Sequence, residues 1–499
     1  MAGLPFFKSW EPESLSRVLR KLYWRLRLRG QRPPAGFDSR WYRQMYQDVA
    51  SANLDPEIHY LRFGRHERRD PNPSFSASGY VRLEPSAAEA VDPLEHYLRE
   101  GRKAGLLPLP EFEGLQPFRQ EAPVLMVCGH QAGRELYGAE RSLLDVLKSL
   151  NGLGVNLIVT LPSAVNEPYL KAIEALAWKL VILPYGWWRA GNPAIGATQK
   201  NFERLLVKYT VNAVLANTLV LHEPVLAARR LDIPVAIFVR ELPAHDEALC
   251  QLLNTTPEAI ANRVRELADV VVSNSSFTAK SLALPKAEVV PNVISIERFR
   301  GLATPTERGE PFTVVMISSN LPKKGLEDFV ALAWRLQPTG IQCRLIGPEN
   351  SHVAVLRQQQ EAGEVPPNLL FAGYASKPEE ALLQGDVVVN LSHFEESFGR
   401  TVLEAMAAAR PVVAYRWGAL PELVEHKVTG CLAPLGDVEA VANYVQKLAE
   451  HKALRRTFGR AGQEKARRCY SHKASAQGLR KVLRQLKSSR LEHHSPGTA

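Results

Sequence analysis

Cysteine pairs, metal-ligand clusters and long apolar runs are missing from this sequence. The five cysteines stand apart, at Cys128, Cys250, Cys343, Cys431 and Cys469. No C-x-x-C pair or histidine at ligand spacing accompanies them, which argues against a disulfide framework and a structural zinc. No stretch approaches the roughly 18 to 20 apolar residues of a membrane-spanning helix, and the first residues lack a signal-peptide core. We therefore expect a cytoplasmic protein in a reducing compartment.

The composition is that of a globular protein with several cores. With 499 residues and 45% hydrophobic content, the chain has the length of about three domains. A net charge of +10 favours an anionic partner, and nucleic acid, a phospholipid surface or a phosphorylated small molecule would each satisfy it. Because the basic residues lack interleaved aromatic residues, we expect no nucleic-acid partner.

Residues 1–36 form a strongly basic N-terminal segment. Within residues 14–29, the leucines at 15, 19, 22 and 26 recur at helical spacing among arginines and lysines, which predicts a short basic amphipathic helix. Such a helix can lie on an anionic membrane, which would bring the protein to the inner face of the plasma membrane. It can equally dock on the rest of the protein, and both interpretations stay open.

Residues 37–112 contain two copies of a unit of about 37 residues. The segments that recur are Asp55-Pro56 as Asp92-Pro93, His59-Tyr60-Leu61 as His96-Tyr97-Leu98, and Gly64-Arg65 as Gly101-Arg102. We predict a small helical unit, in which Asp-Pro opens a helix and Gly-Arg closes it. His59 and His96 are interpreted as structural, because no cysteine or acid cluster accompanies them.

From residue 123 onward, short apolar runs alternate with longer helical stretches. The first series is VLMVC, VNLIVTL, KLVILP, NAVLAN, PVAIFV and DVVVSN, and the second is FTVVMIS, QCRLIG, NLLFAG, DVVVNLS and PVVAY. Runs of this composition are typical of buried parallel strands. They predict an α/β protein with two Rossmann-like domains, 113–295 and 296–475, a hinge near 291–311, and a C-terminal helix and tail at 476–499. Ligands bind at the carboxyl ends of such strands, so the cleft between the domains is the expected site.

The most specific motif is HFEESFGRTVLEAMAAARPVVAYRWGALPELV, which follows the run DVVVNLS. A loop at the carboxyl end of this strand carries Glu396, and a helix expected to begin near Phe398 carries Glu404. The free amides at the start of that helix suit phosphate oxygens. A carboxylate can accept hydrogen bonds from two neighbouring sugar hydroxyls. The start of this helix therefore suits a ligand that carries phosphate groups.

This motif resembles the signature of family-4 retaining glycosyltransferases, the group 1 family with the two-domain GT-B fold. The signature has two glutamates separated by seven residues and the segments EAMA, PVVA and PE, here Glu396, Glu404, Ala405-Met406-Ala407, Pro411-Val412-Val413 and Pro421-Glu422. The likeness covers the whole second domain. The two N-terminal repeats resemble, more loosely, short repeats beside bacterial polysaccharide-synthesis enzymes.

The resemblance implies roles for residues of the second domain. Glu396 is expected to meet the donor sugar as a catalytic residue, and Glu404 to accept hydrogen bonds from the ribose. Lys324, in the turn SSNLPKKGLEDFV, is expected to hold the diphosphate during catalysis. The family's usual arginine falls at Ser318 or Ser319, so another residue would have to compensate for its charge. The further predicted donor-binding residues are Ser319, Asn320, Ser397, Phe398, Gly399 and Arg400.

The first domain supplies candidates for the opposite wall of the cleft. Gly138 lies where a helix should start, and its small size lets backbone amides approach a phosphate of the donor. His130, at the end of the opening strand, is a candidate catalytic residue that orients the acceptor, or a structural cap. Arg240 and Glu241 follow another strand and are acceptor-side candidates. The segments SNSSFTA and VVPNVISIERF are expected to form caps and turns through Ser275, Ser276 and Asn292.

These observations predict a retaining glycosyltransferase, which moves a sugar from a nucleotide-diphosphate donor to a saccharide or lipid-linked acceptor in surface-polysaccharide synthesis. We expect no metal and no cofactor, because no Asp-x-Asp or histidine cluster is present to bridge a diphosphate through a divalent ion. Two alternatives stay open. One is a sugar-nucleotide epimerase or phosphorylase on the same fold, and the other is a non-catalytic scaffold that binds carbohydrate or membrane.

Overall fold

The protein is described here from a computed structural model, which covers residues 23–24, 27–28, 30–130, 133, 138–304 and 306–494. Most of the predicted basic helix at 14–29 lies outside these residues. Among the described residues, no helix combines the length and the apolar character required to cross a bilayer.

The repeat region consists of two similar groups of short helices. These are α1 Ser39–Met45, α2 Gln47–Ser51 and α3 Pro56–His59 in the first copy, and α4 Ala77–Leu83 and α5 Pro93–His96 in the second. A π turn follows each copy's last helix, at Tyr60–Gly64 and Tyr97–Gly101. The carboxylates of Asp55 and Asp92 accept hydrogen bonds from the first free amides of α3 and α5, as the Asp-Pro pairs predicted.

The two histidines of the repeats have equivalent structural partners. The Tyr42 hydroxyl lies 3.0 Å from His59 Nδ1, and the Tyr80 hydroxyl lies 2.9 Å from His96 Nδ1. Both histidines are buried, and burial lowers the pKa of His59. The prediction that they are structural is confirmed.

The repeat region is fastened to the first α/β domain by polar contacts. Arg82 Nη1 lies 2.7 Å from Glu174 Oε1, and Arg82 Nε lies 2.9 Å from Glu167 Oε2. Gly79 packs closely on this domain, because a Cβ there would lie 3.1 Å from Ile182 Cβ. The second copy therefore packs directly against this domain.

The first α/β domain is built on an eight-stranded sheet. Its strands are β1 Glu111–Glu113, β2 Val124–Cys128, β3 Asn156–Leu161, β4 Lys179–Ile182, β5 Ala213–Ala216, β6 Val235–Val239, β7 Val270–Ser273 and β8 Glu288–Val289. The order across the sheet is β1-β4-β3-β2-β5-β6-β7-β8. Only β1 among these strands pairs antiparallel, and it lies across the predicted boundary at residue 113.

Helices cover both faces of this sheet. They are α6 Gly138–Asn151, α7 Glu167–Glu174, α8 Gly196–Lys208, α9 Glu223–Arg230, α10 Glu247–Leu253, α11 Pro257–Leu267 and α12 Ser276–Ser281. The central strands are buried along their whole length, because apolar side chains of helices pack on each side.

The second α/β domain has a six-stranded parallel sheet. Its strands are β9 Thr313–Ile317, β10 Gln342–Ile346, β11 Leu369–Gly373, β12 Val387–Asn390, β13 Val412–Tyr415 and β14 Gly430–Ala433, in the order β11-β10-β9-β12-β13-β14. The helices are α13 Leu326–Leu336, α14 Ser351–Glu361, α15 Pro378–Leu382, α16 Arg400–Ala407, α17 Leu420–Leu423, α18 Val438–Glu450 and α19 Lys452–Cys469. All strand runs quoted from the sequence form strands, so the prediction of two βαβ series is confirmed.

The last helix, α20 His472–His494, returns to the first domain. Leu479, Val482 and Leu486 are buried in the same apolar cluster as β2 and β3. The helix begins a little before the predicted start at residue 476. The chain therefore crosses between the domains twice, through the segment after β8 and through the start of α20.

Candidate active site

Both sheets have the strand order of a doubly wound Rossmann fold. In this order the first three strands are added toward one edge of the sheet. The fourth strand pairs beside the first, and the following strands are added toward the other edge. In the second domain the first and fourth strands are the neighbours β9 and β12, and in the first domain they are β2 and β5. Loops leaving the carboxyl ends of such neighbours turn to opposite faces and open a crevice. A cleft of about 330 Å³ lies at this point, lined by residues of both domains.

Lys324 and Glu396 meet in this cleft. Lys324 follows β9 and Glu396 follows β12, and the lysine Nζ lies 2.6 Å from the carboxylate Oε1. Each side chain is 21% exposed, so the pair is partly shielded and still reachable by a ligand. The sequence separated these residues by 72 positions, and the parallel pairing of β9 with β12 brings them together.

Two glycines allow this contact. Gly325 has a φ of +81°, and a Cβ there would lie 2.0 Å from the Leu391 carbonyl oxygen. Gly418 has a φ of +56°, and a Cβ there would lie 2.7 Å from the backbone nitrogen of Glu396. The Glu396 carbonyl also accepts a hydrogen bond of 2.9 Å from the Ala419 amide. The backbone on both sides of the Lys324–Glu396 pair is therefore held by close packing that only glycine permits.

Two further charged residues, Arg400 at the start of α16 and Glu404 one helical turn later, line the same cleft. Arg400 Nε lies 3.3 Å from Glu404 Oε1, and Arg400 Nη1 lies 2.8 Å from Asp145 Oδ2 of the first domain. Glu404 is 6% exposed, and its burial raises the pKa of its carboxyl group above the usual value, although Arg400 and Arg141 oppose the shift. The site thus holds two carboxylates in unlike surroundings.

The start of α16 differs from the sequence prediction. The helix begins at Arg400, not near Phe398, because Gly399 precedes it with a left-handed φ of +95°. Glu404 is therefore in the second turn of the helix, where its side chain reaches the cleft beside Arg400.

Three predicted donor-binding residues of this loop lie outside the cleft lining. The Ser397 carbonyl accepts hydrogen bonds from Ser275 Oγ at 2.6 Å and from Thr278 Oγ1 at 3.2 Å, in the first domain. Phe398 is buried against Tyr470, with ring centroids 5.8 Å apart. Gly399 faces Leu420. These residues hold the loop in place between the domains.

Ser319 and Asn320, which are neighbours in the turn after β9, differ in their exposure. Ser319 is exposed in the cleft. Asn320 is buried, with a φ of +54°, and its side-chain amide donates a hydrogen bond of 3.1 Å to the Pro348 carbonyl. Asn320 is therefore a turn residue, whose side-chain polar atoms are engaged by its neighbours Ser318 and Pro348.

The first domain contributes one face of α6 to the cleft. Gly138 is the first residue of this helix and lines the cleft, as does Arg141 one turn later. Asp145, which pairs with Arg400, lies a further turn along. His130, at the end of β2, has its Nε2 3.3 Å from Glu140 Oε1. The helix therefore brings a cation and an anion to the second domain that the sequence analysis did not single out.

The spacing of these residues could have identified them. Positions 138, 141 and 145 are three and four residues apart, so they share one face of a helix. If Gly138 faces the cleft, Arg141 and Asp145 must face it too.

Arg240 and Glu241 lie deeper in the first domain than predicted for an open acceptor site. Arg240 Nη2 donates a hydrogen bond of 3.2 Å to Asn217 Oδ1, and Nη1 contacts Asn292 Oδ1. Burial lowers the pKa of the Arg240 guanidinium to about 10. The Glu241 carboxylate accepts hydrogen bonds from the Thr218 hydroxyl and from the Arg240 amide. Both side chains are thus occupied within the domain.

The glutamate of the PE segment has a role across the domain boundary. The Glu422 carboxylate accepts hydrogen bonds from the amides of Ser276 at 3.0 Å and Phe277 at 2.6 Å, at the start of α12. Ser275 caps the same helix through Thr278, as predicted. Sequence reasoning noticed this glutamate but could not know that its partner was in the other domain.

Two Rossmann-order sheets that face each other across a ligand-sized cleft define the GT-B class of proteins, and the predicted fold is confirmed. HepE of Anabaena, in its complex with UDP-glucose, has this fold and matches with a TM-score of 0.59 and 20% identity over 72% of this chain and 99% of HepE. Sucrose-phosphate synthase of Thermosynechococcus elongatus matches with a TM-score of 0.56 and 18% identity, covering 74% of this chain and 100% of the synthase.

Residues 302–465, which lie in the second domain, match the family model for glycosyl transferases group 1. N-acetyl-alpha-D-glucosaminyl L-malate synthase of Bacillus anthracis is 36% identical over 96 residues, which are 19% of this chain and 25% of the synthase. The amylovoran biosynthesis glycosyltransferase AmsK of Erwinia amylovora is 44% identical over 52 residues, 10% of this chain and 13% of AmsK. The chain spans about a quarter of the length of the first curated relatives that it matches.

Proposed function

We propose that this protein transfers a glycosyl group from a nucleotide-diphosphate sugar to a hydroxyl of a saccharide or lipid-linked acceptor. The observation that carries the proposal is the contact of Lys324 with Glu396 in a cleft that also holds Arg400 and Glu404. Cations suit the diphosphate, and carboxylates suit the hydroxyls of the sugar and ribose. The match of residues 302–465 to the family model for glycosyl transferases group 1 supports the same function.

We propose a retaining reaction, as the resemblance to family-4 glycosyltransferases implies. In this step the bond between the anomeric carbon and the diphosphate oxygen breaks, while the acceptor oxygen bonds to the same face of the sugar. The acceptor proton passes to the departing phosphate, which Lys324 stabilises as negative charge develops. Glu396 would hold the sugar hydroxyls, so that the Lys324–Glu396 pair separates when the donor is bound.

We infer that the reaction needs no divalent metal and no cofactor. Lys324 and other cationic side chains line the cleft and can offset diphosphate charge, which is the part a metal would otherwise take. No group of three or more metal-ligating side chains occurs within the described part of the chain. Full turnover after exhaustive chelation is the expected result, and complete loss would refute this inference.

The acceptor and pathway are proposed by analogy. His130 and the face of α6 lie on the first-domain side, where an acceptor hydroxyl would approach the anomeric carbon. The match to an amylovoran biosynthesis enzyme favours surface polysaccharide as the product, in the cytoplasm and close to the inner membrane face. The 14–29 segment remains our candidate for an anionic membrane contact.

A donor screen tests the function directly. The full-length protein would be incubated with UDP-, GDP-, ADP- and dTDP-sugars, with thermal stabilisation and nucleotide release as readouts. We expect stabilisation by one group of donors, slow nucleotide release, and faster release with a saccharide acceptor. The anomeric configuration of the product, read by NMR, tests retention.

The alternatives have different outcomes in the same screen. A scaffold would bind a donor and release no nucleotide. An epimerase would change the sugar without releasing nucleotide, and a phosphorylase would require inorganic phosphate. Without inorganic phosphate, release of nucleotide that a saccharide acceptor accelerates and that is lost in Glu396→Gln, with unchanged folding, is the outcome that only the transferase predicts.

A further inference from the structure

Among the residues that the structure describes, three cationic side chains line the cleft, and two of them have anionic partners. Lys324 pairs with Glu396, and Arg400 pairs with both Glu404 and Asp145. For Arg141, the third, no ion pair is found among the described residues. Of the three, Arg141 is therefore the cation whose charge is available to a doubly charged diphosphate that enters the cleft.

Arg141 reaches across the cleft from the first domain. It stands in the first turn of α6, and its Nη2 lies 3.5 Å from the carbonyl oxygen of Ser376, which follows β11 in the second domain. Its charge is felt at the second domain, because Arg141 opposes the rise in the pKa of Glu404. The guanidinium therefore lies between the two walls and not on the outer surface.

The second domain offers hydroxyls at the turn after β9. Ser318 and Ser319 line the cleft there, before Lys324. The Ser318 hydroxyl donates to Asn320 Oδ1 at 3.1 Å, so it is already engaged within the turn. Within the described part of the second domain, Lys324 and Arg400 are the cleft-lining cations, and each is paired.

We propose that Arg141 is the second cation for the donor diphosphate, so that each domain supplies one. This inference rests on the proposed function. A planar guanidinium binds two phosphate oxygens at once, and Gly138, one turn earlier on the same helix face, leaves that approach open. Neutralising the charge of the diphosphate then requires one cation from each domain, that is, from both walls of the cleft. Donor binding and the approach of the two domains are therefore coupled.

The test uses inorganic pyrophosphate, which removes dependence on the unknown base and sugar. Binding to the full-length protein would be measured calorimetrically for the wild type, Arg141→Gln, Lys324→Ala and Arg204→Gln, an exposed arginine of α8 away from the cleft. We expect Arg141→Gln to weaken pyrophosphate binding at least tenfold and to reduce its salt dependence, while R204Q matches the wild type. Lys324→Ala should weaken it similarly.

A compensating variant separates charge from structure. Ser319→Arg in the Arg141→Gln background places a cation on the opposite wall and should restore most of the lost affinity. Should Arg141→Gln fail to fold, Arg141→Lys decides the question, with an expected loss of several-fold because lysine binds only as a point charge.

The outcomes distinguish this inference from the proposed function. Wild-type affinity in Arg141→Gln together with lost affinity in Lys324→Ala overturns the role of Arg141 and leaves the diphosphate site intact. Unchanged affinity in both variants overturns the diphosphate site itself.

Discussion

At the scale of single residues, the site depends on how charges are neutralised before a ligand arrives. Glu396 Oε1 forms an ion pair with Lys324 Nζ at 2.6 Å, and Glu404 is buried beside Arg400. A pair at the cleft wall can exchange its partner for a ligand, because both side chains keep 21% exposure. The buried carboxylate cannot exchange so freely and has a raised pKa instead.

Lys324→Ala should lower kcat by a factor of about 10² to 10³, because one donor to the developing phosphate charge is removed. The neighbouring lysine is a matched control. Lys323 is exposed and lies over the Phe394 ring at 4.4 Å, outside the cleft lining. Lys323→Ala should therefore keep near wild-type turnover. Equal losses in the two variants would mean that general surface charge, and not a positioned lysine, is responsible.

Glu404→Gln should raise stability at neutral pH and weaken donor binding. Burial raises the pKa of Glu404, so the folded state prefers the protonated form. The wild type is then most stable, relative to the glutamine variant, below the ordinary glutamate pKa near 4.5, and it loses this advantage as pH rises through the raised value. Thermal unfolding from pH 4 to 8 measures this difference, and a difference that is constant across the range would contradict it.

At the scale of elements, a glycine allows the turns that follow β9 and β12 to pack closely against each other. Gly325→Ala should destabilise the protein and lower activity, since its Cβ would lie 2.0 Å from the Leu391 carbonyl oxygen and displace the turn that carries Lys324. Gly340→Ala is the control, because Gly340 has a φ of +70° and nothing within 4 Å of a Cβ.

Backbone strain alone should cost the control about 1 kcal/mol. The contact should add a further ~1 to 3 kcal/mol in Gly325→Ala, measured by denaturant unfolding. Activity per folded molecule should fall only in Gly325→Ala, and equal values for the two variants would show that the close approach to Leu391 is unimportant.

Strands could be predicted from sequence where they are long and apolar on both faces. The strands that were missed are β1, β8 and β14. The first two are sheet edges of three and two residues, and β14 has the sequence GCLA, without β-branched residues. Edge strands lack the two-sided burial that makes a continuous apolar run, so periodicity has little to detect there.

Site residues could be predicted from the sequence where a recognisable motif contains them. Lys324 and Glu396 follow strands of recognisable composition, so their position at adjacent strand ends could be inferred. Asn320 and Phe398 lie in the same motifs but point into the protein, because φ angles and packing decide the direction of a side chain. Arg141 was missed, although its spacing from Gly138 places both residues on one face of α6, because its contact with the second domain forms only when two distant segments meet.

At the scale of the whole molecule, the two domains are joined by contacts that bypass the hinge. Glu422 of the second domain caps α12 of the first, and α20 continues from the second domain into the core of the first. His472, at the start of α20, lies 3.2 Å from Ser149 Oγ and 3.2 Å from Ser295 Oγ. Relative movement of the domains must therefore be small near α20, and larger at the open side of the cleft.

The ion pair of Arg400 with Asp145 joins the two domains beside the start of α20, since Asp145 Oδ1 also lies 3.9 Å from His472 Nε2, and both side chains of the pair are 17% exposed. We expect the pair to favour the closed cleft, because its atoms are 2.8 Å apart only when the domains approach. Asp145→Asn should raise the KM for the donor several-fold with little change in kcat, and should increase the radius of gyration in small-angle scattering.

A double-mutant cycle of Asp145→Asn and Arg400→Gln isolates the interaction from the contact of Arg400 with Glu404. We expect a coupling free energy of about 1 to 2 kcal/mol in donor binding, since the pair is shielded from solvent. The control cycle is Arg335 with Glu439, a pair within the second domain that is 44% and 68% exposed. Exposed pairs contribute ~0 to 1 kcal/mol to stability, and this one should contribute nothing to donor binding. If both cycles gave the same coupling, the Arg400–Asp145 pair would be a surface contact without influence on closure, and the donor would have to close the cleft by its own contacts alone.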